Sequence, residues 1–257
     1  MLLRDRVVSS VSISALRLMA ETYDLENKWD RVVETNRRLA SFAQGADGDT
    51  LENDLSFKVG SHALQEAFAL ENAGRLTSAA EMYESFATRF PVAGDAPYAL
   101  FRAARLYRET SQFGDSERNL DRLLKEYRNS KYQSEGEFIK AANQASLIQF
   151  ASAARLYESF GLAHPRHPLS PQAFLNSATL YKNLKQPKKA AENFEQYAKR
   201  SSDENTWFDL IRLKVKAGDR AGALRILSRY ESGQLGLNLR VRALFEKALI
   251  SSTPEAL

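Results

Sequence analysis

Three histidines are the first residues that could support metal or acid–base chemistry. His164 and His167 lie three apart, a spacing that puts two ligands on one face of a helix. Pro165 and Pro168 interrupt that stretch, and proline prevents the helix the spacing needs. No carboxylate is placed as in a zinc-protease motif, so the pair reads as connector. His62 stands near a helix start and reads as a surface or packing residue. The chain has no cysteine, which removes disulfides, thiolate nucleophiles and cysteine–zinc sites. Gly45 and Gly48 sit in an acidic loop without the lysine of a phosphate-cradling loop. No Gly-x-Ser-x-Gly string occurs. Glu and Asp pairs abound, but on helices such residues are mostly solvated or bridged to Lys and Arg four positions on. No catalytic residue, cofactor site or metal site is therefore expected, and the chain is read as not an enzyme.

The elements explain what the residues are for instead. The chain has 257 residues, so two domains or one elongated repeat body are expected. Hydrophobic residues make up 44%, enough for a real core. Gly and Pro are scarce while Ala, Leu, Glu and Arg recur, a mix that favours helix. The 36 basic and 32 acidic residues leave a net charge of +4, too small to argue for nucleic acid or an anionic membrane. No apolar run is long enough to span a bilayer. The N-terminus lacks the apolar stretch of a signal peptide and starts abruptly, so a segment of a longer protein is expected.

Self-similarity is the strongest signal. Ala79, Tyr83, Phe86 and Pro91 recur at identical spacing as Ala153, Tyr157, Phe160 and Pro165, 74 residues on. Ser116, Leu120 and Leu123 lie halfway between them. Ala190, Phe194 and Tyr197 follow, and then Ala223, Leu227 and Tyr230. The small residues are offset by 37, 37, 37 and 33 positions. Twelve positions before each stands Ala67, Ala104, Ala141, Ala178 or Ile211. Gly74 and Gly218 fall where each helix pair needs a tight turn. Small residues are required where two helices cross closely, and Ala104 facing Ser116 and Ala141 facing Ala153 are expected crossings.

This register resembles the tetratricopeptide repeat family. The resemblance implies an all-α, right-handed superhelical solenoid of antiparallel helix pairs, about six pairs plus a C-terminal helix. One body over 1–257 is expected, with a degenerate repeat at 13–46. Repeats follow at 60–93, 97–130, 134–167, 171–203 and 204–237, then a C-terminal helix and tail at 238–257. An insertion around Gly45–Thr50 separates the first two. The wording from Tyr83 to Pro91, followed by Ala96 to Phe101, is similar to long-period bacterial repeats. Outer-membrane assembly lipoproteins and periplasmic cell-division coordinators carry such repeats.

The resemblance also implies that the first helix of each pair lines a concave face. Carried onto this chain, the inward positions include Leu64, Phe68, Glu71 and Asn72. Next come Tyr98, Phe101, Arg105, Arg108 and Glu109, then Glu135, Phe138, Ala142 and Ala145. The last two units supply Gln172, Leu175, Thr179, Lys182 and Asn183, and Asn205, Phe208, Arg212 and Lys216. The expected partner-binding groove is Tyr98, Phe101, Arg105, Arg108, Phe138, Lys182, Asn183, Phe208, Arg212 and Lys216. Glu21 and Asp24 would make its N-terminal end acidic. A packing role for the phenylalanines and a solvated face for the charges is the competing reading.

A non-catalytic scaffold holding a protein or peptide with acidic and apolar anchors is the expected function, in a bacterial envelope or multiprotein complex. The alternative is a substrate-carrying component of an outer-membrane or secretion assembly machine. The basic cluster Lys182, Lys185, Lys188, Lys189, Lys199 and Arg200 leaves an RNA-binding helical repeat as a distant third. A periplasmic or envelope-associated place is favoured over the cytoplasm, with no direct membrane insertion. Leu239, Leu244, Phe245 and Leu249 make the last helix apolar for a cap. That suits a homodimer through the terminal helices, or a missing repeat.

Overall fold

The computed structural model describes residues 2–26, 28–41, 60, 62–200, 204–232 and 237–252. The insertion expected at Gly45–Thr50 and the side chains of Trp29 and Tyr230 lie outside the described residues. The described residues are helical throughout, with short turns and no strand. They form two compact units, 1–133 and 134–257.

The first unit runs α1 (Leu2–Leu25), α2 (Trp29–Ser41), α3 (62–72), α4 (Leu76–Arg89), α5 (Ala96–Glu109) and α6 (Phe113–Glu126). The second runs α7 (Gln133–Ser146), α8 (Phe150–Ala163), α9 (Ser170–Asn183) and α10 (Pro187–Ala198). It continues with α11 (Glu204–Lys216), α12 (Arg220–Ser232) and α13 (Leu237–Ser252). Helices adjacent in sequence pack on one another within each unit, as in α4 on α5 on α6 and α8 on α9 on α10. The fold class is the expected one: all-α, helix beside helix in chain order.

The turn inside each pair is the same device five times. Gly74, Ser111, Ile148, Lys185 and Gly218 have positive φ, and lie 37, 37, 37 and 33 residues apart. At each, one N–H reaches back three residues and the next reaches back five. Gly74 bonds Glu71 and Arg75 bonds Leu70, both at 2.9 Å; Ile148 bonds Ala145 at 3.1 Å and Gln149 bonds Gln144 at 2.8 Å. This pair of hydrogen bonds satisfies the last carbonyls of the first helix and reverses the chain. Proline in the first turn of α5, α9 and α10 starts the following helix where its missing N–H costs nothing.

Small residues let the axes approach. Ala79, Ala80, Ala87, Ala99, Ala103 and Ala104 are all fully buried. At the expected Ala104 crossing the Ser116 hydroxyl donates to the Ala104 carbonyl at 2.7 Å. Where α8 meets α9 a ring lies directly on the backbone. A Cβ on Gly161 would stand 2.7 Å from Phe174, so glycine is what lets that ring in. One period of 74 earlier the same two positions hold Ala87 and Leu100, a larger residue against a smaller one.

A polar clasp repeats as well. Glu84 on α4 accepts from the Tyr107 hydroxyl at 2.9 Å and from Arg118 at 3.1 Å. Seventy-four residues on, Glu158 on α8 accepts from the Tyr181 hydroxyl at 2.8 Å and from Asn193 at 2.9 Å. Burial, then the hydrogen bond to the carboxylate, pushes both phenols up, Tyr181 to about 12. Each clasp ties the second helix of one pair to both helices of the next.

Candidate functional site

In the first unit the exposed side of α5 carries an aromatic cluster with a cationic rim. Tyr98 meets Tyr83 edge-on at 6.0 Å and Tyr132 at 5.8 Å. Phe101 stacks on Tyr132 with centroids 5.0 Å apart and planes 20° apart, and is only 5% exposed. The Arg105 guanidinium stands 5.8 Å from the Phe101 ring, and the Lys131 ammonium 5.1 Å from Tyr132. Such cation–π contacts are worth about 0.5–1 kcal/mol each at exposed sites, so they orient the cations without neutralising them. Arg105 and Lys131 are exposed, while Tyr98 and Tyr132 are half-buried. Arg108 lies 5.8 Å over the Phe113 ring.

Neighbouring charges are already committed. Glu71, read from sequence as facing inward, accepts from Arg102 Nε at 3.0 Å and from the Tyr83 hydroxyl at 3.2 Å. Burial, then the charge of Arg105, lowers the Arg102 pKa. At the N-terminal end Asp24 meets His62 Nδ1 at 3.0 Å, while Glu21 is exposed. The pair ties α1 to α3.

In the second unit the expected groove residues part company. Phe208 is fully buried in a core with Leu210, Ile211, Ala223 and Leu227. Phe138 is half-buried and packs edge-on against Tyr157 and Phe160 at 5.2 and 5.4 Å. Neither offers a free ring to a ligand. The register position that carries Phe101, Phe138 and Phe208 belongs to packing between helices. Arg212 donates to Glu246 at 2.8 Å, and that bond, with the charge of Glu246, raises its pKa. Lys182, Asn183 and Lys216 are exposed.

The connector histidines are structural. His164 Nε2 meets Glu137 at 2.8 Å, and both His164 and His167 pack on Phe160 at 5.0 and 5.3 Å. Among the described residues no group of three His, Asp or Glu is arranged to hold a metal ion. Among them, too, no helix is long and apolar enough to cross a membrane.

The tetratricopeptide repeat family model matches residues 98–130 and 172–203, which are α5–α6 and α9–α10 with their following turns. Those two helix pairs are tetratricopeptide repeats. No curated protein sequence matches it. Among solved structures, a crystal structure of MamA protein has a TM-score of 0.50 at 12% identity, over 77% of this chain and 97% of that one. MamA 41-end from Desulfovibrio magneticus RS-1 gives 0.48 at 15% identity, over 66% and 92%. YrrB, titled a TPR protein with an unusual peptide-binding site, gives 0.47 at 13% identity, over 72% and 91%. At these identities the likeness concerns the fold.

Within the tetratricopeptide register, Tyr132 and Lys131 were missed from sequence. They stand in the connector between α6 and α7, outside the first-helix positions of the repeat. The signal that could have found them is composition. The connectors at 90–95 and 164–169 carry proline, whereas this one reads Asn129-Ser130-Lys131-Tyr132.

Proposed function

We propose that this tetratricopeptide-repeat protein is a non-catalytic scaffold that binds a protein or peptide through the first-helix face of its repeats. The observation that carries the reading is the half-buried pair Tyr98 and Tyr132, seated on the buried Phe101 ring and rimmed by Arg105 and Lys131. Half-buried rings beside exposed cations suit a segment that brings a carboxylate and an apolar or aromatic anchor. Arg105 can grip a carboxylate through two parallel hydrogen bonds, and the rings give its guanidinium a fixed seat. Lys182, Asn183 and Lys216 form the exposed polar part of the corresponding face in the second unit. Phe138 and Phe208 serve as its support and not as contacts.

The wording of Tyr83–Pro91 and Ala96–Phe101 supports a partner complex in the bacterial envelope. Carriage of a substrate within an assembly machine is the same binding act with a transient partner. Affinity capture from the source cell, with wild type beside Arg105→Glu/Lys131→Glu, tests the reading. A charge reversal at both cations should deplete the specific partner about tenfold, a loss of about 1.4 kcal/mol. Equal recovery by the two baits would sink the basic–aromatic face. Recovery that depends on ribonuclease treatment would move the assignment to RNA.

A further inference from the structure

The turn between α7 and α8 departs from its four counterparts. Its positive-φ residue is Ile148, at φ 62°, where Gly74 and Gly218 hold the same register position. A β-branched residue in that conformation is strained, because its Cβ crowds the backbone. Ile148 nevertheless points into solvent, 75% exposed, with Leu147 and Phe150 exposed beside it. From 143 to 152 no residue is charged. Strain kept for a side chain that supports no core is a mark of function.

The neighbouring turn supplies the complementary chemistry. Residues 182–189 hold four lysines and no carboxylate. Lys185, itself at φ 56°, Lys188 and Lys189 are exposed. The two turns lie at one end of the second unit. Ala154, one turn of helix beyond Phe150, packs with Tyr181 and Leu184 at the end of α9 and Ala190 at the start of α10. The Ser177 hydroxyl donates to the Ala154 carbonyl at 2.9 Å, and Lys189 stands 5.1 Å from the Tyr181 ring.

We infer that this turn edge, Leu147, Ile148 and Phe150 beside Lys185, Lys188 and Lys189, is a second docking surface that takes an acidic protein segment carrying apolar side chains. Charge complementarity selects the acid, and the uncharged tip selects an apolar neighbour within it. The apolar part is a single turn set against a single basic turn. That matches one short segment better than the broad plane of a bilayer. The surface is separate from the first-helix face and stands or falls independently of it.

A fluorescein-labelled peptide of alternating glutamate and leucine, titrated with the full chain and read by anisotropy, tests the inference. Lys185→Glu/Lys188→Glu should weaken binding about tenfold and flatten its salt dependence. Ile148→Gly should also weaken it about tenfold, while melting no earlier than wild type, which separates lost contact from lost fold. All of these are compared in the Arg105→Glu/Lys131→Glu background, which removes the first-helix face from the readout, and there the charge-matched Lys125→Glu/Arg128→Glu control should bind as its parent does. No binding, or binding that Ile148→Gly leaves unchanged, overturns the inference. So does equal loss in the charge-matched control, which would mean attraction to net charge alone. Binding to anionic phosphatidylglycerol vesicles but not to the peptide, abolished by the same variants, assigns the edge to lipid instead.

Discussion

At the scale of the residue, Ile148 and Asp219 show how side chains load the shared pair turn, one with strain and one with a cap. Ile148 sits in a left-handed conformation that costs an L residue roughly 1–2 kcal/mol relative to glycine. Part of that difference is offset by the greater chain entropy glycine has when unfolded. Ile148→Gly should therefore raise the unfolding free energy by about 1 kcal/mol, read as a higher denaturation midpoint at unchanged slope. Unchanged or reduced stability would remove strain from the account of this turn. Asp219 adds a side-chain cap to the Gly218 turn. Its Oδ1 accepts from the Gly222 N–H at 2.8 Å, capping α12, and its other oxygen accepts from Lys214 at 3.0 Å. The Lys214 bond first, and then the Gly222 bond, hold the carboxyl below its ordinary range. A depressed folded pKa means the contribution is complete above the unfolded carboxylate value, about 3.9, and is lost as pH falls through the folded value. Asp219→Ala should cost about 1 kcal/mol at neutral pH, the usual worth of an N-cap. Melting curves of wild type and this variant should converge as pH drops below about 4, since the protonated cap has lost its charge-assisted bonds. A gap that persists at low pH would mean the side chain acts by packing.

At the scale of the element, Gly161 beneath Phe174 is a steric constraint between two helices. Gly161→Ala forces a ring in a filled core to move and should destabilise by about 1–3 kcal/mol. Phe174→Leu recreates the pairing of Ala87 with Leu100, so the double variant should recover most of that loss. Strict additivity in a double-mutant cycle would show that the two do not meet as described. This pair also marks what the sequence made legible. The 37-residue register located the crossing small residues and the turn positions, because steric demand at a helix crossing favours Ala, Ser or Gly on at least one of the two helices, as with Ala223 opposite Ile211. It did not separate ligand-facing from core-facing apolar residues. Phe101, Phe138 and Phe208 share one repeat position, and one stripe on a first helix serves its own pair, the next pair and any groove. Which of these a ring meets depends on neighbours distant in sequence, such as Tyr132 for Phe101 and Leu227 for Phe208. The Arg212–Glu246 pair was hidden for the same reason, since its partner lies 34 residues on, in α13.

At the scale of the whole molecule, the open question is whether one copy meets another through α13. Leu239, grouped from sequence with the outward residues, packs against the second unit's core together with Ala243 and Ile250. Val241, Leu244, Phe245 and Leu249 are each more than half exposed, at the spacing of one helix stripe. A stripe of this kind can meet its own copy about a two-fold axis, residue against equivalent residue. Its size argues against a tight complex. Taking apolar side chains at about 150–200 Å² each, the exposed part comes to roughly 400 Å² per copy, about half of the ~800 Å² per partner in a stable interface. Association must also offset several kcal/mol of lost translational and rotational freedom. Pairing through this face should then have a Kd on the order of 100 µM or weaker, so sedimentation at about 10 µM should return the monomer mass. Phe245→Glu/Leu249→Glu should abolish any dimer that appears on concentration, and should leave the melting temperature within a few degrees because neither side chain supports the core. A submicromolar dimer lost in that variant would mean that more surface joins the contact than the α13 stripe supplies. A dimer that survives it would place the contact on another face.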